Sequence, residues 1–164
     1  MRIIGIDPGT LTLGYGIIDE LSGEIKHVAC GALTAPSSMQ LSDRLHKIYK
    51  ELRKILKTYQ PDEAAIEEPF VAKNASSAIA VGQAIGAATI AIIESGIPIH
   101  RYTPTQVKQS VTSYGRSGKD QVAEMVCVIL NLSAPPQPAD AADTLAVAVC
   151  HSQAQHVSGL LSQG

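Results

Sequence analysis

Apolar and polar positions change period several times along the 164 residues, and each change marks an element. Arg2 to Asp7 is a short apolar run ending in the turn sequence Asp-Pro-Gly-Thr. Leu13 to Ile18 then resumes a strand-like pattern in which Gly14 and Gly16 alternate with larger residues. Ile25 to Leu33 predicts a third strand, and the short turns between the three predict an antiparallel meander. From Leu41 the apolar positions advance by three or four, through Leu45, Ile48, Leu52, Ile55 and Tyr59, which is one face of a helix of about five turns.

Beyond that helix, Glu63 to Glu67 predicts a strand, Ser76 to Ser95 a helix closed by Gly96, and Ile97 to Tyr102 another strand. Thr103-Pro104 reads as an N-cap with proline at the first helical position, opening a helix that runs to about Thr112. A Gly/Ser loop from Tyr114 to Gly118 leads into a helix over Lys119 to Leu132. The proline-rich connector Ser133 to Pro138 precedes a last helix from about Ala139 to Gln155. Three strands followed by alternating helices and strands predict an α/β fold, a mixed five-stranded sheet with helices on both faces. No internal repeat or second domain interrupts residues 1–156, and the polar tail 157–164 is expected to fray.

Composition narrows the function classes. Hydrophobic residues make up 45% of the chain and charged ones 17%, a globular balance, and the net charge of −2 argues against a globally basic nucleic-acid binder while leaving room for a local basic site. Cys30, Cys127 and Cys150 are too scattered for a disulfide framework or a zinc site and read as small buried hydrophobes in a reducing compartment. The most apolar stretch, Ala78 to Ile93, falls short of the roughly 20 residues a bilayer needs, so a soluble, cytoplasmic protein without membrane attachment is expected. The five histidines show no triad or metal-ligand spacing and are read as structural or surface residues.

Acidic residues at element ends carry the candidate chemistry, because a strand fixes the direction of a carboxylate at its tip. Asp7 ends the first strand, and Glu67, with Glu68 beside it, ends the fourth. Asp140 and Asp143 stand three apart, so both project from one face of the last helix at its first turn. Favourable placement of negative charge at a helix N-terminus alone would explain those two. If all four acids meet at the C-terminal edge of one sheet, their repulsion calls for a divalent cation. All-oxygen donors suit Mg²⁺ or Mn²⁺, and two such ions about 4 Å apart would serve phosphodiester displacement.

Gly5-Ile-Asp-Pro-Gly9, Ala65-Ile-Glu67 with Phe70 three residues on, Ala72-Lys-Asn-Ala75, Gln106-Val-Lys-Gln109 and Ala139-Asp-Ala-Ala-Asp143 with Leu145-Ala-Val-Ala148 resemble, in order and spacing, the bacterial Holliday junction resolvases of the RuvC family. The resemblance spans Met1 to about His151. It implies a ribonuclease H-like fold and a homodimer that nicks two opposed strands of a four-way DNA junction with Mg²⁺, in recombination and repair, beside a branch-migration motor complex. It also implies that Asp7, Glu67, Asp140 and Asp143 are the metal-binding catalytic carboxylates, choosing Glu67 over Glu68, which is read as solvated.

The same resemblance places Phe70 at the junction, where an exposed aromatic can stack on an unpaired base, and Lys73 and Asn74 follow on the same loop, within reach of phosphate or a base edge. From Pro69 to Lys119 the basic residues Lys73, Arg101, Lys108, Arg116 and Lys119 face a single acid, Glu94, a local positive stretch in a net-negative chain. The resemblance makes Lys108 and Lys119 phosphate contacts, and Arg116 joins them by its place in a loop expected to be mobile. A second basic run, from Arg44 to Lys57, reads as the solvated outer face of its helix. Ala78, Gly82 and Gly86 recur every four residues, which suggests close approach by another backbone, and the resemblance assigns that helix to the dimer interface. The rivals are a ribonuclease H-like enzyme acting on RNA, an actin-like phosphotransferase, for which 164 residues leave little room, and a catalytically dead junction-binding scaffold.

Overall fold

The meander forms as its pattern predicts: β1 (Arg2–Asp7), β2 (Thr12–Leu21) and β3 (Glu24–Thr34) pair antiparallel. Ser22 and Gly23 both take positive φ in the tight turn that joins the last two. This is a computed structural model that describes residues 1–68, 75–138 and 140–161. After α1 (Leu41–Tyr59), β4 (Glu63–Glu67) inserts parallel to β1. After α2 (Ala75–Ile93), β5 (Ile99–Tyr102) adds parallel to β4, giving the sheet order β3-β2-β1-β4-β5. Three helices complete the chain: α3 (Pro104–Thr112), α4 (Lys119–Ile129) and α5 (Ala141–Leu161).

Strand alternation divides the core in two. Ile4, Ile6, Ala64 and Ile66 point to the face covered by Ile48, Leu52 and Leu56 of α1 and Ala88, Ala91 and Ile92 of α2. Ile3, Ile18 and Ala65 point to the other face, where Val107 and Val111 of α3, Val122 and Val126 of α4 and the Leu145–Val149 run of α5 cover them. Asp7 has the strand parity of Ile3, and Glu67 that of Ala65, so both end their strands on the α5 face.

Three glycines set how close α5 lies. A Cβ on Gly5 would collide with the Thr144 carbonyl oxygen and come within 2.6 Å of the Ala148 nitrogen. One on Gly16, the β2 partner of Gly5, would come within 2.7 Å of the Leu145 nitrogen, and one on Gly14, the partner of Asp7, within 2.6 Å of Thr144 Cγ2. The alternating glycines of β2 therefore form a trough into which the backbone of α5 settles, and that trough places the first turn of α5 beside the tip of β1.

Most predicted boundaries agree with the elements to within two or three residues, and the departures have local causes. Gly118, not a hydroxylic side chain, occupies the N-cap of α4, and the helix stops at Ile129, where Asn131 turns to positive φ instead of continuing to Leu132. α5 is longer than its sequence pattern, running through Leu161 past Gln155, since no proline follows to break it. β5 starts at Ile99 because Pro98 precedes it. Thr103 caps α3 as expected, in a capping box with Gln106.

The close approach expected at Gly82 and Gly86 is not made by any of the described residues. A Cβ at either position meets nothing within 4 Å. Ala78 is half-buried, and the same helix leaves Ile79, Ile90 and Ile93 more than half exposed, while its inner side packs through Ala84, Ala88 and Ala91.

Candidate active site

Asp7 and Glu67 reach the same end of the sheet because β1 and β4 are parallel neighbours in register, Ile6 beside Ile66. The glycine trough then brings Asp143, on the first turn of α5, to the same spot, and α3 and α4 supply Lys108 and Lys119. These five polar side chains, with Val107 and Val122 as an apolar wall, line a cleft of about 300 Å³. Asp140 directly precedes α5 and is the most exposed of the four acids. It is tied to the group through Lys119, whose Nζ lies 3.1 Å from Asp140 Oδ1 and 3.1 Å from Asp143 Oδ2.

The electrostatics are those of crowded carboxylates short of a cation. Burial, then repulsion from Asp143, raises the Asp7 carboxyl above the ordinary aspartate range. Glu67 is pushed up to about 7, first by burial and then by Asp7 and Asp143, with Lys108 and Lys119 pulling the other way. The Lys119 ammonium, hydrogen-bonded to Asp143 and Asp140, is held in its charged form more strongly than an ordinary lysine. A positive centre between two carboxylates fits a cation site, and the donors are hard oxygens without sulfur or nitrogen, as Mg²⁺ or Mn²⁺ would require.

The raised Glu67 value has a consequence for stability. Between its ordinary 4.5 and about 7, the folded chain holds a proton on Glu67 that the unfolded chain has released, so metal-free stability falls as pH rises through that window. Glu67→Gln removes the penalty. Discounted for partial exposure, it should stabilise the metal-free protein by roughly 1–2 kcal/mol at pH 8, with the gain fading as pH approaches 4.5. Thermal unfolding in a chelator at both pH values checks this; a variant no more stable than the parent at pH 8 contradicts the assignment.

Around the cleft, several expectations change. Glu68 is not merely solvated: it forms an ion pair with Arg101, so Arg101 is partly neutralised. The Tyr114 to Gly118 loop is braced rather than loose. Buried Thr112 and Ser117 place their hydroxyls 2.7 Å apart, each within hydrogen-bond reach of the Tyr114 carbonyl. Arg116 is exposed on that loop, and Lys108 is half-buried in the cleft wall. Phe70, Lys73 and Asn74 lie outside the described residues. On the α1 basic run, Arg53 pairs with Glu94 and Lys47 donates to the Thr34 carbonyl, so that surface is partly committed within the chain.

Comparison with known proteins settles the family. The model of "Crossover junction endodeoxyribonuclease RuvC" matches residues 3–151. The chain belongs to the RuvC family. Relatives of that name share 48% identity over 93% of both chains in Chloroflexus aggregans, and 45% over 100% of this chain and 98% of the other in Dehalococcoides mccartyi. A solved Thermus thermophilus RuvC, in complex with Holliday junction substrate, superposes with a TM-score of 0.90 at 31% identity, covering 96% of each chain. The yeast mitochondrial resolvase Ydc2 shares the fold at a TM-score of 0.65 and 13% identity. The mixed sheet with α1 and α2 on one face and α3 to α5 on the other is thus the RuvC form of the ribonuclease H-like fold.

Two features of this RuvC-family chain escaped its sequence. The glycine trough was visible only as alternation in β2. Glu63, His100 and His151 come together under α5, although His151 reads as an isolated histidine near a helix end. Shared strand parity of Glu63 and Glu67 was the one available signal, and it says nothing of the partners on β5 and α5.

Proposed function

We infer that this RuvC-family chain is a Mg²⁺-dependent endodeoxyribonuclease that resolves four-way DNA junctions by paired symmetric nicks, as a homodimer holding two ions per active site, with Mn²⁺ able to substitute. The observation that carries this reading is the convergence of Asp7, Glu67 and Asp143 in one cleft, with Asp140 joined through Lys119. When bound, divalent cations supply an activated water and stabilisation of the leaving oxygen.

The chain's own residues do the rest. Asp7, Glu67, Asp140 and Asp143 would hold the cations, whose charge would offset the repulsion between a cleft crowded with carboxylates and a phosphate. Lys108 faces Glu67 from α3 and offers a positive contact to the scissile backbone. With Asp140 and Asp143 holding a metal, the Lys119 ammonium would give up both partners and could contact a neighbouring phosphate, which would reconcile its ion pairs with a DNA-contacting role. Val107 and Val122, both buried, give the cleft a dry wall that strengthens these interactions. Phe70, Lys73 and Asn74 belong to the segment joining Glu68 to α2, so base stacking there would link the carboxylates to the helix that carries the dimer contact.

The exposed isoleucines of α2, and the open space beyond Gly82 and Gly86, support a two-fold partner on that face, and such a dimer supplies the two active sites that paired nicking needs. A cytoplasmic location and a branch-migration motor as partner belong to the same reading. The match to RuvC over nearly the whole chain, rather than the carboxylate cleft alone, favours this reading over an RNA-acting or phosphotransferase rival.

Junction binding measured against Mg²⁺ concentration tests the division of labour between acids and bases. In the parent, affinity should rise as the cleft is neutralised, while Asp140→Asn, with one charge fewer, should bind more tightly without metal and respond less to it. Identical metal dependence in parent and variant would count against the proposal.

A further inference from the structure

At the opposite end of β4 from Glu67, about 13 Å away by strand rise, three metal-ligating side chains from three elements converge. Glu63 opens β4, His100 lies on β5 and His151 on α5. His151 Nε2 is 2.5 Å and His100 Nε2 3.2 Å from the same oxygen, Glu63 Oε2, and the imidazole rings stack at 4.3 Å. The groups around them are arranged as supports. Tyr102 hydroxyl lies 2.7 Å from His151 Nδ1, and Gln155 Nε2 donates to Glu63 Oε2 at 2.9 Å.

We propose that Glu63, His100 and His151 form a second metal site, distinct from the carboxylate cleft, that takes a Zn²⁺-class transition ion and fastens α5 to the sheet. Two nitrogen donors and one carboxylate favour such an ion over Mg²⁺. The three ligand atoms lie within 4.8 Å of one another, so small side-chain movements bring them to a common centre. His151 is fully buried, whereas His100 is partly exposed, which leaves the outer side open to a water as fourth ligand.

The supporting bond also fits. In the metal-free network, the neutral His151 ring donates from Nε2 to Glu63 and accepts at Nδ1 from Tyr102. Moving that proton to Nδ1 turns the ring into a donor to the Tyr102 oxygen and exposes the Nε2 lone pair to the metal, with no change in ring charge. That is the outer bond expected of a ligating histidine. Because α5 also carries Asp143, the ion would pin the middle of the helix whose first turn shapes the cleft.

The test uses the full-length, chelator-stripped protein titrated with Zn²⁺ in millimolar Mg²⁺, which keeps the carboxylate site occupied. One Zn²⁺ per chain is expected. Affinity should fall at least about tenfold in His100→Asn and Glu63→Gln, and stay unchanged in Asp143→Asn. His100 is partly exposed, so its variant should fold, and far-UV circular dichroism confirms that. Co²⁺ in place of Zn²⁺ should give the strong visible bands of a four-coordinate site in the parent and in Asp143→Asn, but not in His100→Asn. At a hundredfold excess over Kd, Zn²⁺ should raise the parent Tm by roughly 8 °C and leave that of His100→Asn unmoved. Equal Zn²⁺ affinity in parent and His100→Asn, loss of binding in Asp143→Asn, or no stoichiometric binding in the parent would each overturn the proposal.

Discussion

Asp7→Asn should slow junction cleavage in Mg²⁺ by about three orders of magnitude or more while leaving junction affinity within a few fold. Asp7 is the acid at the centre of the crowd: burial and Asp143 both raise its carboxyl, and it contributes in turn to the rise at Glu67. The amide keeps the shape of the side chain and removes a carboxylate charge from the proposed cation site, and a thousandfold loss corresponds to about 4 kcal/mol of transition-state stabilisation, within what a bound metal supplies. Folding is not the cause, because deleting a desolvated charge from a like-charged group should raise metal-free stability, as at Glu67. Single-turnover cleavage and thermal unfolding of the same preparation separate the two. A variant that cleaves within tenfold of the parent would remove Asp7 from the site.

The second large effect is structural and lies on the opposite side of the same contact. Gly5→Ala should cost about 3 kcal/mol, at the upper end of what an inserted methyl costs in a packed core. The added carbon meets the backbone of α5 at Thr144 and Ala148, and backbone gives way less readily than a side chain. A partial accommodation would lift α5 and move Asp143 away from Asp7, so the variant should lose more cleavage than its residual folded fraction explains. Gly86→Ala is the control, because its added carbon meets open space within the chain. In an isolated chain it should gain up to about 1 kcal/mol of helix propensity. Any loss would have to come from a partner on that face, which sedimentation at several concentrations would show. Denaturant unfolding of both variants checks the pair; a Gly5→Ala protein as stable as its parent would contradict the trough.

The sequence was most informative where a local rule sufficed. The period of α1 and the Thr103-Pro104 cap are near-neighbour effects, and both elements stand where the residues place them. Asp7, Glu67 and Asp143 were legible as strand-tip and first-turn acids, and Lys108 and Lys119 by resemblance. What stayed hidden depends on register between distant strands. Gly16 matters because it lies opposite Gly5, and Gly14 because it lies opposite Asp7. Neither pairing is present in the local alternation of β2, whereas the glycines of α2, which looked like packing contacts, face outward. Glu68 was misread for a related reason: its partner Arg101 comes from the next strand in space, 33 residues on. His151 gave no signal because its three neighbours lie on two strands that only the parallel pairing of β4 and β5 brings under α5.

Two copies of this cleft in a dimer, with metal, should cut branched DNA in two places. A synthetic four-way junction with a fixed branch point, each of its four strands labelled in turn and incubated with the protein and Mg²⁺, tests it most directly beside linear duplex and RNA of the same sequence. Nicks in two opposed strands at symmetry-related positions are expected, dependent on the metal and absent with Asp7→Asn. Comparable cleavage of linear duplex or RNA, nicks in one strand only, or nicking that survives in a chelator would contradict it.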